Sequence, residues 1–281
     1  RHNENATMCI MLTDAEPEST RLINIPVSHA GQPFKFLLYT NDLAASKDEL
    51  MIVPIPNPHS CADFGLVDAT KLKTFRERID SLFPKPRSAA RATNSLRCAP
   101  KAKLMVHEVG NYSISVAPNL EDLEHRVDWG RFKLPADFER RKATLKDASL
   151  FPWPCAYVVA QANKSVKDDG FGIVYPDPGF DYFPTAHEDN GRGTSDFDVV
   201  CYNCFAPAES DDTWISSRHE EQVRELFQGF PRDMTMSGSG AASEFAIVTV
   251  DGARVNRCKL NGRLPNQNII AGRKRQRGGA A

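Results

Sequence analysis

The chain has 281 residues, of which 41% are hydrophobic and 25% charged, with a formal net charge of −1 and a mean hydropathy of −0.42. That composition belongs to folded chains and not to disordered ones. The near-zero charge excludes a global attraction to nucleic acid or anionic membrane, and no apolar run approaches the roughly 20 residues of a membrane helix.

Short strand-like runs dominate the first third: Thr7 to Thr13, Arg21 to Val27, Phe34 to Thr40 and Glu49 to Ile55, each bounded by turn residues. In the third run Phe34, Phe36 and Leu38 share one face, while Lys35, Leu37 and Tyr39 share the other. Apolar residues on both faces predict a strand covered on both sides. MIVPIPNP carries prolines at alternate positions, each removing a ladder donor, so the spacing predicts a strand leaving its sheet into an extended segment. Leu72, Phe75, Ile79 and Leu82 recur at helical spacing, and Pro84 ends that helix. The polar, basic stretch from Pro84 to Ala102 reads as a surface loop.

LMVHEVGNYSISVAP reads as a hairpin turning at Gly110–Asn111. Asn119 is a helix cap ahead of the apolar stripe Leu120, Leu123 and Val127, and Pro135 opens a further short helix. AYVVAQA, GFGIVYP and FDVVCYN are strands. Ser217 and Glu220 fit a capping box before Val223, Leu226 and Phe227. EFAIVTV and the run from Arg257 to Leu260 return to strand, with SGSGAAS before them as a flexible connector. Strands in clusters with helices inserted singly predict an α+β fold around a mostly antiparallel sheet. Residues 8–270 are expected to form one α+β domain with a surface loop at 84–102, and residues 271–281 a disordered basic tail.

Seven cysteines, at 9, 61, 98, 155, 201, 204 and 258, are odd in number, and RHNENAT lacks the apolar core of a secretory signal. Reduced thiols and a cytoplasmic setting are therefore expected. Cys9 follows Met8 directly. Were Met8 the initiator, an N-terminal Cys9 would carry its own base in the α-amine, the arrangement of an N-terminal-cysteine hydrolase or transferase; the plain reading is a small buried side chain in an edge strand. The pair in CYNC (Cys201, Cys204) with His187 and His219 makes a weak zinc pattern, because residues three apart on a strand face opposite ways. No metal or other cofactor is assigned.

The segment GFGIVYPDPGFDYFPTAHED interleaves Tyr175, Phe180, Tyr182 and Phe183 with carboxylates and His187. Aromatic walls with a few convergent polar groups are what a small-molecule pocket uses to exclude water and fix orientation. Tyr182, Phe183, Thr185 and His187 are accordingly the candidate ligand-binding residues. The alternative is a structured segment whose rings cover the end of a sheet.

The Met8–Cys9 start, MIVPIPNP, VHEVGNYSISVAPNLEDL, FGIVYPDPGFDYFPTAHED and NGRLPN together resemble a family of uncharacterised microbial proteins. Its members begin Met-Cys and carry an ILPVP-like strand, a VHEVG-type hairpin and an FFPT-x-H segment. The resemblance spans most of Met8 to Ile270, although the Asp147 to Asp169 neighbourhood and the basic tail depart from it. It implies that Met8 is the initiator and that the stretch after Pro84 is a loop within one unit. With no established activity in the family, it transfers no catalytic role. The expected function is binding of an unknown small molecule or protein partner at the aromatic and acidic segment. No membrane contact is expected, and nucleic acid could be met only through the basic tail. The alternatives are Cys9 thiol chemistry, or a scaffold subunit with no pocket.

Overall fold

The computed structural model describes residues 10–11, 19–43, 50–83, 104–134, 136, 138–139, 145, 153–163, 166–185, 194–206, 214–217, 220–249, 254–265 and 269–271. Within them the fold is α+β, with most strand pairings antiparallel and only short helices. In chain order the strands are β1 (Ile10–Met11), β2 (Ser19–His29), β3 (Gln32–Leu43), β4 (Leu50–Pro56), β5 (Gly65–Asp68), β6 (His107–Val109), β7 (Tyr112–Ala117), β8 (Cys155–Ala162) and β9 (Val166–Pro176). They continue as β10 (Asp181–Phe183), β11 (Thr194–Ala206), β12 (Trp214–Ser216), β13 (Asp233–Met236), β14 (Ala242–Glu244), β15 (Ala246–Ile247), β16 (Arg254–Pro265) and β17 (Ile269–Ala271). The helices are α1 (Lys73–Ser81), α2 (Leu120–His125) and α3 (Glu220–Leu226).

Two sheets stack face to face. The larger runs β12-β16-β11-β2-β3-β9-β5-β13-β14, with β15 added to β2; the smaller runs β1-β4-β8-β7-β6. Alternation along each strand sorts its side chains between layers. In β3, Leu37 and Tyr39 enter the core between the sheets, whereas Phe36 and Leu38 enter the core beneath α1 and α3. In β4, Met51, Val53 and Ile55 face the larger sheet, whereas Leu50 and Ile52 face α2 and the Phe132–Phe138 region. The result is four layers: helices, large sheet, small sheet, helix. Each sheet is buried on both faces near its centre, as the double-sided pattern of the third run predicts.

Helices form at three of the expected places, although Ser217, read as the cap of α3, has its hydroxyl accepting from the Val255 amide at 3.1 Å. Phe75 and Ile79 are the buried face of α1, and the Phe75 ring lies 5.1 Å from Phe227 and 4.8 Å from Phe230 at the end of α3. Asn119 caps α2, its side-chain oxygen accepting from the Asp122 amide at 2.8 Å. The β6–β7 hairpin turns at Gly110, whose φ is +59°.

Two expectations are corrected. MIVPIPNP does not leave the sheet: β4 pairs with β8 through Pro54–Tyr157 and Pro56–Cys155. On its other edge β1 reaches only Met51 and Ile52, so the donors lost at Pro54 and Pro56 fall where β4 has no outer neighbour among the described residues. In SGSGAAS, Ser237 to Ala241 form an ordered turn between β13 and β14, and Ala242 and Ser243 begin β14. The Gly238 amide donates to Asp63 Oδ1 at 2.6 Å, Ser237 Oγ to the same oxygen at 3.1 Å, and His107 Nε2 to the Ser237 carbonyl at 2.9 Å. Of EFAIVTV, Glu244 ends the short β14 and Ala246–Ile247 form β15, with Phe245 buried between them.

The expected loop at 84–102, the Pro135 helix start, and the tail beyond Ala271 lie outside the described residues; Ala271 itself ends β17. Among the described residues no helix is long and apolar enough to cross a membrane.

The β2–β3 hairpin turns on Ala30 and Gly31, with φ of +48° and +75°. Two consecutive positive φ values define the turn whose twist matches the flanking strands, and at Ala30 the Cβ makes that conformation costly. Ala30→Asn is expected to raise stability by about 0.5–1 kcal/mol, measured as a higher urea midpoint; an unchanged or lower midpoint would contradict this reading of the turn.

Candidate functional site

The aromatic and acidic segment leaves β9 at Pro176, turns at Gly179 (φ +83°) and comes back as β10. There it pairs with β17 through Asp181–Ala271, Tyr182–Ile270 and Phe183–Ile269. This two-stranded ribbon lies over the end of the core between the sheets. Phe183 (0% exposed) packs in that core, its ring 5.7 Å from Trp214 of β12. Tyr182 (1% exposed) lies 6.3 Å from Trp153, which also holds Phe180 at 5.2 Å. Thr185 is likewise 1% exposed. Three of the four candidate residues are thus brought together as packed interior, and His187 lies outside the described residues.

Beneath the ribbon sits a polar cluster that the sequence reading did not single out. Lys35 Nζ of β3 donates to Asp181 Oδ1 at 2.6 Å and lies 3.6 Å from Asp177 Oδ2. The other Asp181 oxygen accepts from Asn203 Nδ2 of β11 at 2.9 Å. Asn24 Nδ2 of β2 donates to the Tyr182 carbonyl at 3.3 Å and to the Tyr175 hydroxyl at 3.4 Å. Burial, followed by the charges of Asp181 and Asp177, pushes the Tyr175 phenol far above its ordinary range, so it stays neutral. The sequence signal was there in outline: Lys35, Asn24 and Asn203 each interrupt an apolar run (PFKF, LINI, CYNC). A single polar residue in a strand, though, reads equally well as a solvent-facing position.

The described cysteines are Cys61, Cys155, Cys201, Cys204 and Cys258, all free thiols. Cys201 faces the inter-sheet core opposite Cys258, whereas Cys204 faces the helix layer. The CYNC pair therefore cannot close on one ion, and among the described residues no group of three potential ligands is assembled. Burial raises the thiol pKa of Cys155 to about 12 and pushes those of Cys201 and Cys204 well up, the opposite of what a nucleophile needs. Cys9, the candidate catalytic thiol, lies outside the described residues, immediately before the edge strand β1.

No family model matches the chain, and no curated protein matches it. Among solved structures it is similar to baculovirus P35, at 14% identity over 92% of this chain and 96% of that one, with a TM-score of 0.43. A mutated baculovirus P35 after caspase cleavage, solved at 2.7 Å, shows 13% identity over 90% of this chain and 98% of the other, with a TM-score of 0.46. The complex of P35 with caspase-8 shows 14% identity over 96% and 97%, with a TM-score of 0.41. At these values the likeness is a loose one of outline and assigns nothing to this chain.

The buried acids carry a pH consequence. A thiol or phenol whose folded pKa is raised keeps its proton in the folded state after the unfolded state has lost it. The stability it contributes is therefore complete below about pH 9 and is lost as the pH climbs toward 12, the folded value for Cys155. Urea midpoints are expected to hold up to about pH 9 and then fall. Cys61, the half-buried thiol of the described set, should be the first of that set to take a thiol reagent. Rapid native-state labelling of Cys155 or Cys201 at pH 8 would contradict the packing.

Proposed function

We propose that the chain is a binding protein whose partner is another protein. The partner is held at the end of the molecule where β10 and β12 meet, and Tyr182, Phe183 and Thr185 shape that end from within. The observation that carries this reading is the β12 edge. β12 is the terminal strand of the larger sheet, and among the described residues no strand covers its outer side. Its Ile215 is 54% exposed, while its Trp214 is anchored inward on Phe183. An open strand edge bearing an outward isoleucine supplies backbone donors and acceptors and one apolar anchor, which together suit an extended segment of a protein partner. The packed rings of β10 favour this over a small ligand, which would have to displace core side chains to lie among them. The alternatives are a scaffold subunit without a pocket and thiol chemistry at Cys9, the latter depending on where the native chain begins.

The test is direct binding of the purified native partner to wild type and variants. Ile215→Lys is expected to weaken binding by tenfold or more, the scale of an interface anchor, with the melting temperature unchanged. Tyr182→Phe, which keeps the ring, combined with His187→Ala is expected to alter affinity less. Unchanged binding by Ile215→Lys, with a small-molecule response lost in the Tyr182/His187 variant, would replace the protein partner by a small ligand. A native mass beginning at Cys9, with an activity abolished by Cys9→Ser, would establish the enzyme instead.

A further inference from the structure

The geometry points to an internal binding site for one water molecule between Asn24 and Asn203, beneath β10. The two asparagines are register partners on β2 and β11, the parallel pair of the larger sheet. Asn256 of β16 continues the same rung, and all three are fully or almost fully buried. Asn24 and Asn203 project from the same face of the sheet, both reaching toward β10. Each amide nitrogen is engaged, that of Asn24 by the Tyr182 carbonyl and that of Asn203 by Asp181 Oδ2. Each amide oxygen is buried without a hydrogen-bond donor among the described residues.

The Asp181 carboxylate sets the orientation of Asn203 and the Tyr182 carbonyl that of Asn24, whose other neighbour, the Tyr175 hydroxyl, can donate or accept. Turning Asn203 would set its oxygen against the Asp181 carboxylate, and turning Asn24 would set its oxygen against the Tyr182 carbonyl, acceptor against acceptor in each case. The two oxygens belong to register partners on adjacent strands, and each requires a donor, since buried polar groups are almost always satisfied. One water supplies two donated hydrogens, one to each oxygen, within the partners an internal water ordinarily makes. A monovalent cation is disfavoured. The Lys35 ammonium stands 2.6 Å from Asp181 and 3.6 Å from Asp177, and so already engages the carboxylates that would attract one.

The test is a crystal structure of the full chain at a resolution that shows ordered water, from crystals grown without sodium, potassium or ammonium salts. A density peak within about 2.7–3.2 Å of both Oδ1 atoms is the expected result. A gap without density, with Asn24 turned to donate directly to Asn203 Oδ1, would overturn the site, as would a peak that appears only when monovalent cations are supplied. In solution, the ¹⁵N-labelled chain should show long-lived cross-relaxation between water and the side-chain amide of Asn203, and its absence would overturn the proposal independently of crystals.

Discussion

One buried ion pair holds the aromatic segment in place. Lys35 Nζ and Asp181 Oδ1 meet at 2.6 Å between the middle of the larger sheet and the ribbon formed by β10 and β17. Neither charge could be buried alone, because each would lose several kcal/mol of hydration with nothing in return. The pair therefore fixes where β10 lies, and β10 fixes the rest of that end: Phe183 against Trp214, Tyr182 and Phe180 against Trp153. Asn203 completes the Asp181 carboxylate from β11, and Asn24 ties the Tyr182 backbone to β2. Three strands of one sheet thus grip a segment that follows a proline- and glycine-broken turn.

This constraint bears on function. Asp181 of that segment is paired and its described rings are packed interior, so on the proposed reading recognition falls to the surface around them. β12 joins the two, because Trp214 is fastened to Phe183 while the neighbouring Ile215 points outward. A partner lying along β12 would therefore meet an edge whose position is set by the polar cluster beneath β10. On the opposite face of the same sheet, Asp80 at the end of α1 receives the Tyr202 hydroxyl and pairs with Arg21 at 2.9 Å. The helix layer is thus pinned by a second polar clasp, separate from the first.

Much of the architecture was legible in the residues, and the misses have physical causes. The alternation in PFKFLLYT assigned a strand buried on both faces, and the three-residue spacing of Cys201 and Cys204 assigned them to opposite faces. The Asn119 cap and the Gly110–Asn111 turn carry their own local chemistry, and each forms where expected. The prolines of MIVPIPNP misled because their effect depends on whether a neighbour lies on the edge they face. That depends on how far β1 extends, a long-range fact. SGSGAAS looked slack because its order comes from Asp63 and His107, far away in the chain. Lys35, Asn24 and Asn203 do not read as a cluster for the same reason: a polar residue in a strand becomes a buried clasp only when a distant segment folds onto it. The aromatic composition of the β10 segment was readable, but whether its rings face a hollow or a core was not.

The most direct measurement is hydrogen exchange on the native full chain and on Lys35→Met. If the Lys35–Asp181 pair is what holds the ribbon down, the amides of Asp181–Phe183 are protected in wild type. In the variant they lose that protection, while those in the β2–β3 hairpin keep theirs. Equal protection of Asp181–Phe183 in both proteins, or free exchange there in wild type, would contradict the account.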